Sequence, residues 1–177
     1  MGFLRRLLGD RTPHGFAGSL DAGEDVVDSA PVEGGGHLLV TPLGLWIPDG
    51  SEGSGGARRV GWHLIGKAAW KGGVFTLTES AESGTAGSAV VLTDLAPVRF
   101  SLPEPSRVPH HVRLRVDGSV RSRHRQDIGD GGAWFVQRKV PGRDGSVLQV
   151  RPDPGTDVSL VAAIAEQVAA QLAAAAE

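Results

Sequence analysis

The sequence predicts a mainly β domain of the α+β class: an antiparallel barrel or sandwich of about eight short strands, closed by a C-terminal helix. Three observations carry this. The chain of 177 residues holds 26 Gly and 11 Pro, so turns recur along its whole length. Between those turns lie short runs rich in Val, Leu, Ile, Phe and Trp, the residues that fit a pleated, half-buried surface. One long stretch with helical periodicity appears, and it comes last. With 40% hydrophobic and 21% charged residues, the chain has material for one core, and residues 25–176 are read as one domain behind a flexible lead over 1–24.

The elements follow in order. Val26 to Val32 makes a weak first strand, ended by Gly34, Gly35 and Gly36. His37 to Ile47 is an apolar run broken by Pro42-Leu43-Gly44, which makes it two strands or one bent strand. Pro48 to Gly56 is polar, glycine-dense loop. A strand resumes at Arg58, with Val60 and Trp62 on one face. His63 to Trp70 suits either a helical turn or a strand, and Lys71-Gly72-Gly73 turns the chain into a strand over Val74 to Thr78. Glu79 to Ser88 reads as polar loop, followed by short strands at Ala89–Leu92 and Pro97–Leu102. Trp134–Val140 and Ser146–Arg151 flank Pro141-Gly-Arg-Asp-Gly145 as a hairpin. From 157 to 176 the chain is helical: Thr156 or Asp157 caps it, and Val158, Val161, Ile164, Val168 and Leu172 form an apolar stripe.

Composition removes several function classes. With no cysteine there is no disulfide framework, thiolate zinc site or cysteine nucleophile, which fits a reducing cytoplasm. A formal charge of −2 leaves no general affinity for polyanions, so any such affinity must come from a local patch. No apolar run approaches the roughly 18 residues of a membrane span. The N-terminus does not read as a secretion signal. Phe3, Leu4, Leu7 and Leu8 lie at helical spacing opposite Arg5 and Arg6, a two-turn amphipathic segment able to touch a membrane surface or cover an apolar patch of its own domain. The expected location is the cytoplasm, with peripheral contact at the inner face of the membrane as the variant.

The strongest chemical pattern is basic. Val112-Arg-Leu-Arg-Val116, Asp117-Gly118 and Ser119-Val-Arg-Ser-Arg-His-Arg125 carry a hairpin signature, with Asp-Gly between two alternating runs. In that hairpin Arg113, Arg115, Arg121, Arg123 and Arg125 share one side of a two-stranded ribbon, a ligand for phosphate or carboxylate groups. Two alternatives stand beside it. The arginines form a solvated face paired with Asp127, Asp130 and Glu104. Or Val108, Val112 and Val116, spaced by four behind Pro109, define a helix over 107–117, which disperses the basic face. No aromatic residue is interleaved with these arginines, which speaks against stacking of single-stranded bases.

Other chemistry is weaker. His110, His111 and His124 lack metal-ligand spacing, Gly-x-Ser-x-Gly is absent, and Gly50 to Gly56 has no Lys-Ser/Thr ending, so no metal, cofactor or catalytic set is assigned. Trp46, Trp62, Trp70 and Trp134 all lie in apolar context and are expected in the core, with an aromatic cage as the alternative.

The arginine bias, with Lys67, Lys71 and Lys139 the lysines among 18 basic residues, resembles proteins of high-GC bacteria. Leu38-Leu-Val-Thr-Pro-Leu-Gly-Leu-Trp-Ile47 and Arg58-Arg-Val-Gly-Trp-His-Leu-Ile-Gly-Lys-Ala-Ala-Trp-Lys-Gly-Gly-Val-Phe-Thr-Leu77 resemble small uncharacterised actinobacterial proteins with a pleckstrin-homology-like barrel. The likeness spans residues 25 to 102 and the closing helix, is one of pattern, and implies a fold without naming a ligand. Lipid-reading members of that fold cluster basic residues in the first hairpin loop, whereas this chain has Glu33-Gly-Gly-Gly-His37 there, against phosphoinositide recognition. The expectation is therefore a non-enzymatic binding or scaffolding module of the bacterial cytoplasm with an unidentified protein partner. An anion-binding protein for nucleic acid or acidic membrane is the alternative, and an enzyme of unrecognised type is a third class.

Overall fold

The computed structural model describes residues 11–50, 55–103 and 105–175. The chain is mainly β, a curled half-barrel of sheet with a C-terminal helix. Eleven strands appear among the described residues, more than the eight expected. Strands β1 (Asp28–Pro31), β2 (His37–Val40), β3 (Gly44–Asp49) and β4 (Gly56–Gly61) form an antiparallel sheet in chain order. The break at Pro42-Leu43-Gly44 does split the apolar run into two strands, because Thr41 folds its hydroxyl back onto the amides of Leu43 and Gly44 and closes a tight turn. The ambiguous segment after Gly61 is both things in succession, a 3₁₀ turn over Trp62–Leu64 and then β5 (Ile65–Lys71).

The second sheet is organised by β6 (Val74–Ala86), whose 13 residues run through the stretch expected to be loop from Glu79 onward. On one side β6 pairs with β5, through a turn that needs the positive φ of Gly72 and Gly73. On the other it pairs with β7 (Ala89–Asp94) and then β8 (Val98–Ser101). Polar residues sustain this strand because its outward face meets water while Phe75, Leu77, Ser80 and Ala86 point inward. The order continues through β11 (Val147–Pro152) and β10 (Gly131–Arg138) to β9 (Val120–Ile128). β7 and β11 are parallel, a departure from the expected all-antiparallel sheet. The hairpin around residues 141–145 is present, with Arg138 opposite Val147.

Two helices close two cores. α1 (Val108–Ser119) occupies the first arm of the expected arginine hairpin. Spacing by four prevailed over alternation because Val108 and Val112 are both fully buried against β1, β2, β5 and the 3₁₀ turn. Pro109 is tolerated in the first turn, where no intrahelical N–H bond is lost. Asp117-Gly118 lies in the last turn of this helix instead of turning a hairpin, and Gly118 does not take positive φ. The first core gathers side chains of β1 to β6, β8 and α1, Leu38, Leu45, Val60, Trp62, Phe75 and Phe100 among them.

α2 (Val158–Ala174) closes the second core over Val91, Phe135, Leu148 and Val150. Asp157 caps it, accepting from the amides of Ser159 and Leu160. Its buried line is Val161, Ala165 and Ala169, with Ile164 and Val168 at the border. Val158 and Leu172, expected inside, are exposed, because small alanines let the helix lie close on β6, β7 and β11 along a narrower stripe. No described helix is long and apolar enough to cross a membrane. Packing begins before residue 25: Phe16 lies edge-on to Trp46, Leu20 packs on the cluster of Val26, Leu39 and Trp46, and Glu24 is buried. The amphipathic segment with Phe3, Leu4, Leu7 and Leu8 lies outside the described residues.

Candidate functional site

The sheet face opposite α2 carries the candidate site. On β10, Ala133 and Phe135 point into the second core, so Trp134, Val136 and Arg138 take the other face. Register extends that face sideways. Arg125 of β9 and Arg151 of β11 lie opposite Trp134, and Arg123 and Gln149 lie opposite Val136. A bulge at Gln137/Arg138 ends the regular β9 pairing beside Arg121, which is exposed. The Trp134 indole is 38% exposed, with the guanidinium of Arg123 5.7 Å and that of Arg125 5.9 Å from its ring centre.

The five arginines proposed as one ribbon are therefore divided. The hairpin does not form: Arg113 and Arg115 are on α1, and Arg113 is 3.6 Å from Asp117 one helical turn on. Arg123 and Arg125 come together around Trp134, with Arg121 beside them. Arg125 is forked onto Asp153 at 2.7 and 3.1 Å and lies 3.8 Å from Asp127, so the solvated-face alternative describes this residue. Those hydrogen bonds, ahead of the charge of Asp153, hold its guanidinium above the ordinary arginine range. Arg121 and Arg123 have no carboxylate partner among the described residues.

The two ends of this face differ. At the Arg138 end the curl of the sheet brings β5 and the 3₁₀ turn over it. Arg138 is buried and donates to the carbonyls of Trp62 (2.8 Å), Ile65 (3.0 Å), His63 and Val116 and to the Ser119 hydroxyl. Burial first, then the neighbouring Arg151, lowers it to about 10. Gln149, also buried, donates to the His63 carbonyl. Burial, and then Arg138 and Arg143, push His63 below the usual imidazole value. At the Trp134 end the face is open. Arg151 spans the two, 3.6 Å from Asp94 with one guanidinium nitrogen buried and unpartnered.

Sequence reasoning missed Trp134 as an exposed ring among arginines, and missed the exposure of Trp70. Only Trp46 and Trp62 are core residues as expected. A signal for the correct pairing was present: Gly129-Asp130 is a two-residue turn motif between Ile128 and Gly131, and it places Arg125 beside Trp134. Elsewhere, Trp70, Gly73, Leu102, Pro103, Pro105 and Ser106 line a hollow of about 320 Å³, with no acidic or basic side chain among the described residues that line it. His110 and His111 are on α1, the latter 3.7 Å from Asp28, and His124 is on β9. No group of three potential metal ligands occurs among the described residues.

No protein-family model matches this chain, and comparisons with curated proteins and with solved structures give no match.

Proposed function

We propose that this chain is a non-enzymatic binding module of the bacterial cytoplasm, pleckstrin-homology-like in having a curled sheet closed by a C-terminal helix, that binds an anionic partner at the open end of the β9–β10 face. The parallel β7–β11 pair and α1 are its departures from that barrel type. One observation carries the binding reading. Arg121 and Arg123 follow one another at alternate positions along β9, both exposed and without a carboxylate partner among the described residues, and the Arg123 guanidinium lies over the exposed Trp134 indole. Arginine forks recognise carboxylate and phosphate alike, and the indole beside them adds apolar contact area.

The test is fluorescence anisotropy with three labelled probes: an oligo-dT strand, a Glu-rich peptide and phosphatidylserine vesicles. Wild type should bind at least one of them with an affinity that falls steeply with salt. Arg121→Ser with Arg123→Ser should lower that affinity at least about tenfold, given two lost charge-assisted contacts of about 1.5 kcal/mol or more each, and leave the melting curve unchanged. Equal binding by both proteins at low salt refutes the proposal.

A further inference from the structure

Resting on that reading, we infer that the anionic partner is an extended acidic polypeptide segment that adds to the outer edge of β9 as a further strand of the sheet. β9 is the terminal strand of its sheet, nine residues long, and β10 is its one ladder partner among the described residues. Residues 121 to 125 are exposed without interruption. An open edge offers alternating N–H and C=O groups, and a polypeptide strand supplies the complementary donors and acceptors at the same repeat. The phosphate groups of a nucleic acid or a lipid supply acceptors alone, and neither molecule repeats donor and acceptor at the spacing of a strand.

Charge then selects among strands. An added strand places every second side chain about 5 Å from Arg123 and its odd-numbered neighbours, on the face that already holds Trp134. Acidic residues at alternate positions would neutralise Arg123 and, at the bulge, Arg121. The opposite face of β9 presents Ser122, His124 and Gln126, which suit polar residues at the intervening positions.

A second copy of this chain does not fit. A two-fold axis perpendicular to the sheet keeps odd residues of β9 opposite odd residues, so the central registers set Arg123 against Arg123 or Arg125. The row of arginines guards the edge against self-pairing while leaving it open to an acidic strand.

The probe is a labelled peptide of about nine residues alternating Glu and Thr, made with free amides and in two further forms. One form is N-methylated at each Glu, the other at each Thr. An added antiparallel or parallel strand directs only alternate amides at β9, so one methylated form should lose at least about tenfold in affinity while the other binds like the parent. Amide exchange of residues 121 to 125 should slow on binding. Equal behaviour of the two methylated forms, or unchanged exchange in β9, overturns edge addition. If the peptide then still depends on Arg121 and Arg123, the anionic-partner proposal survives. Binding of oligo-dT or vesicles but not of the peptide overturns edge addition in the same way, and binding of none of the probes overturns both.

Discussion

Arg138→Met is the sharpest test of how the two cores are joined. Arg138 belongs to β10 of the second core, yet its acceptors are the carbonyls of the 3₁₀ turn and β5 and the last turn of α1, all parts of the first. Methionine keeps the length and the apolar contacts but removes the charge and every donor. Two effects oppose each other. Losing a buried cation recovers a desolvation penalty of several kcal/mol, which can make such replacements neutral or stabilising. Against this, the acceptors lose hydrogen bonds from a charged donor, worth about 1.5 to 3 kcal/mol each. Trp62 O also accepts from the Ile65 amide, His63 O from Gln149 and Val116 O from Ser119, so those three keep a partner. The Ile65 carbonyl and the Ser119 hydroxyl lose the most. The expected net loss is about 2 to 4 kcal/mol, and docking of the cores should weaken with it. Urea unfolding at pH 7 should show a lower midpoint and a broader transition, as the halves lose their shared clamp. A variant as stable as wild type with an unchanged slope would refute the clamp and leave apolar contact alone holding the cores together.

Three further outcomes follow from the same geometry. Glu24, whose carboxylate accepts from Thr41, Trp46, Arg59 and the Asp21 amide, should cost about 2 to 3 kcal/mol in urea unfolding when changed to Ala, the lower range because Arg59 keeps Asp21. Burial holds the His63 imidazole neutral below the usual value of 6.5, so its share of stability is full above about that pH and drains as acid protonates the unfolded chain first; melting temperature should fall between pH 7 and 5, less so in His63→Gln. Gly118→Ala should raise stability by about 0.5 to 1 kcal/mol, since the site is helical and open, whereas a hairpin turn there would make the same change destabilising.

Much of the fold was written in local chemistry. Turn residues marked the hairpins at residues 72–73 and 141–145, and Asp157 with the alanine-rich stretch marked α2, because these depend on neighbours within a few positions. What failed depended on distant partners. Glu79 to Ala86 is too polar to announce a strand; β5 reaches it only at Glu79, and from Ser80 onward it pairs because β7 runs beside it. Val108, Val112 and Val116 competed with Val112, Leu114 and Val116 for the same residues, and the first core decided between them by burying Val108 and Val112 while Leu114 stayed 55% exposed. The candidate site was half legible. Arg121, Arg123 and Arg125 announce a charged strand by alternation, but Trp134 joins them only through the Gly129-Asp130 turn, and Arg138 and Arg151 are set apart from the exposed arginines by the curl of the sheet.

The two cores also divide the chain in time. Every buried member of the first core lies between Ala30 and Val112, and every member of the second between Ala86 and Ala169. A chain emerging from the ribosome can thus bury its first apolar set, with α1 in place, before the strands that complete the second exist. β7 must then wait with one edge open until β11, more than fifty residues later, arrives beside it in parallel. That interval exposes Val91 and Ala89, and it falls between the two halves of a single fold, where a slow translation step or a premature stop leaves a finished half carrying an unfinished edge.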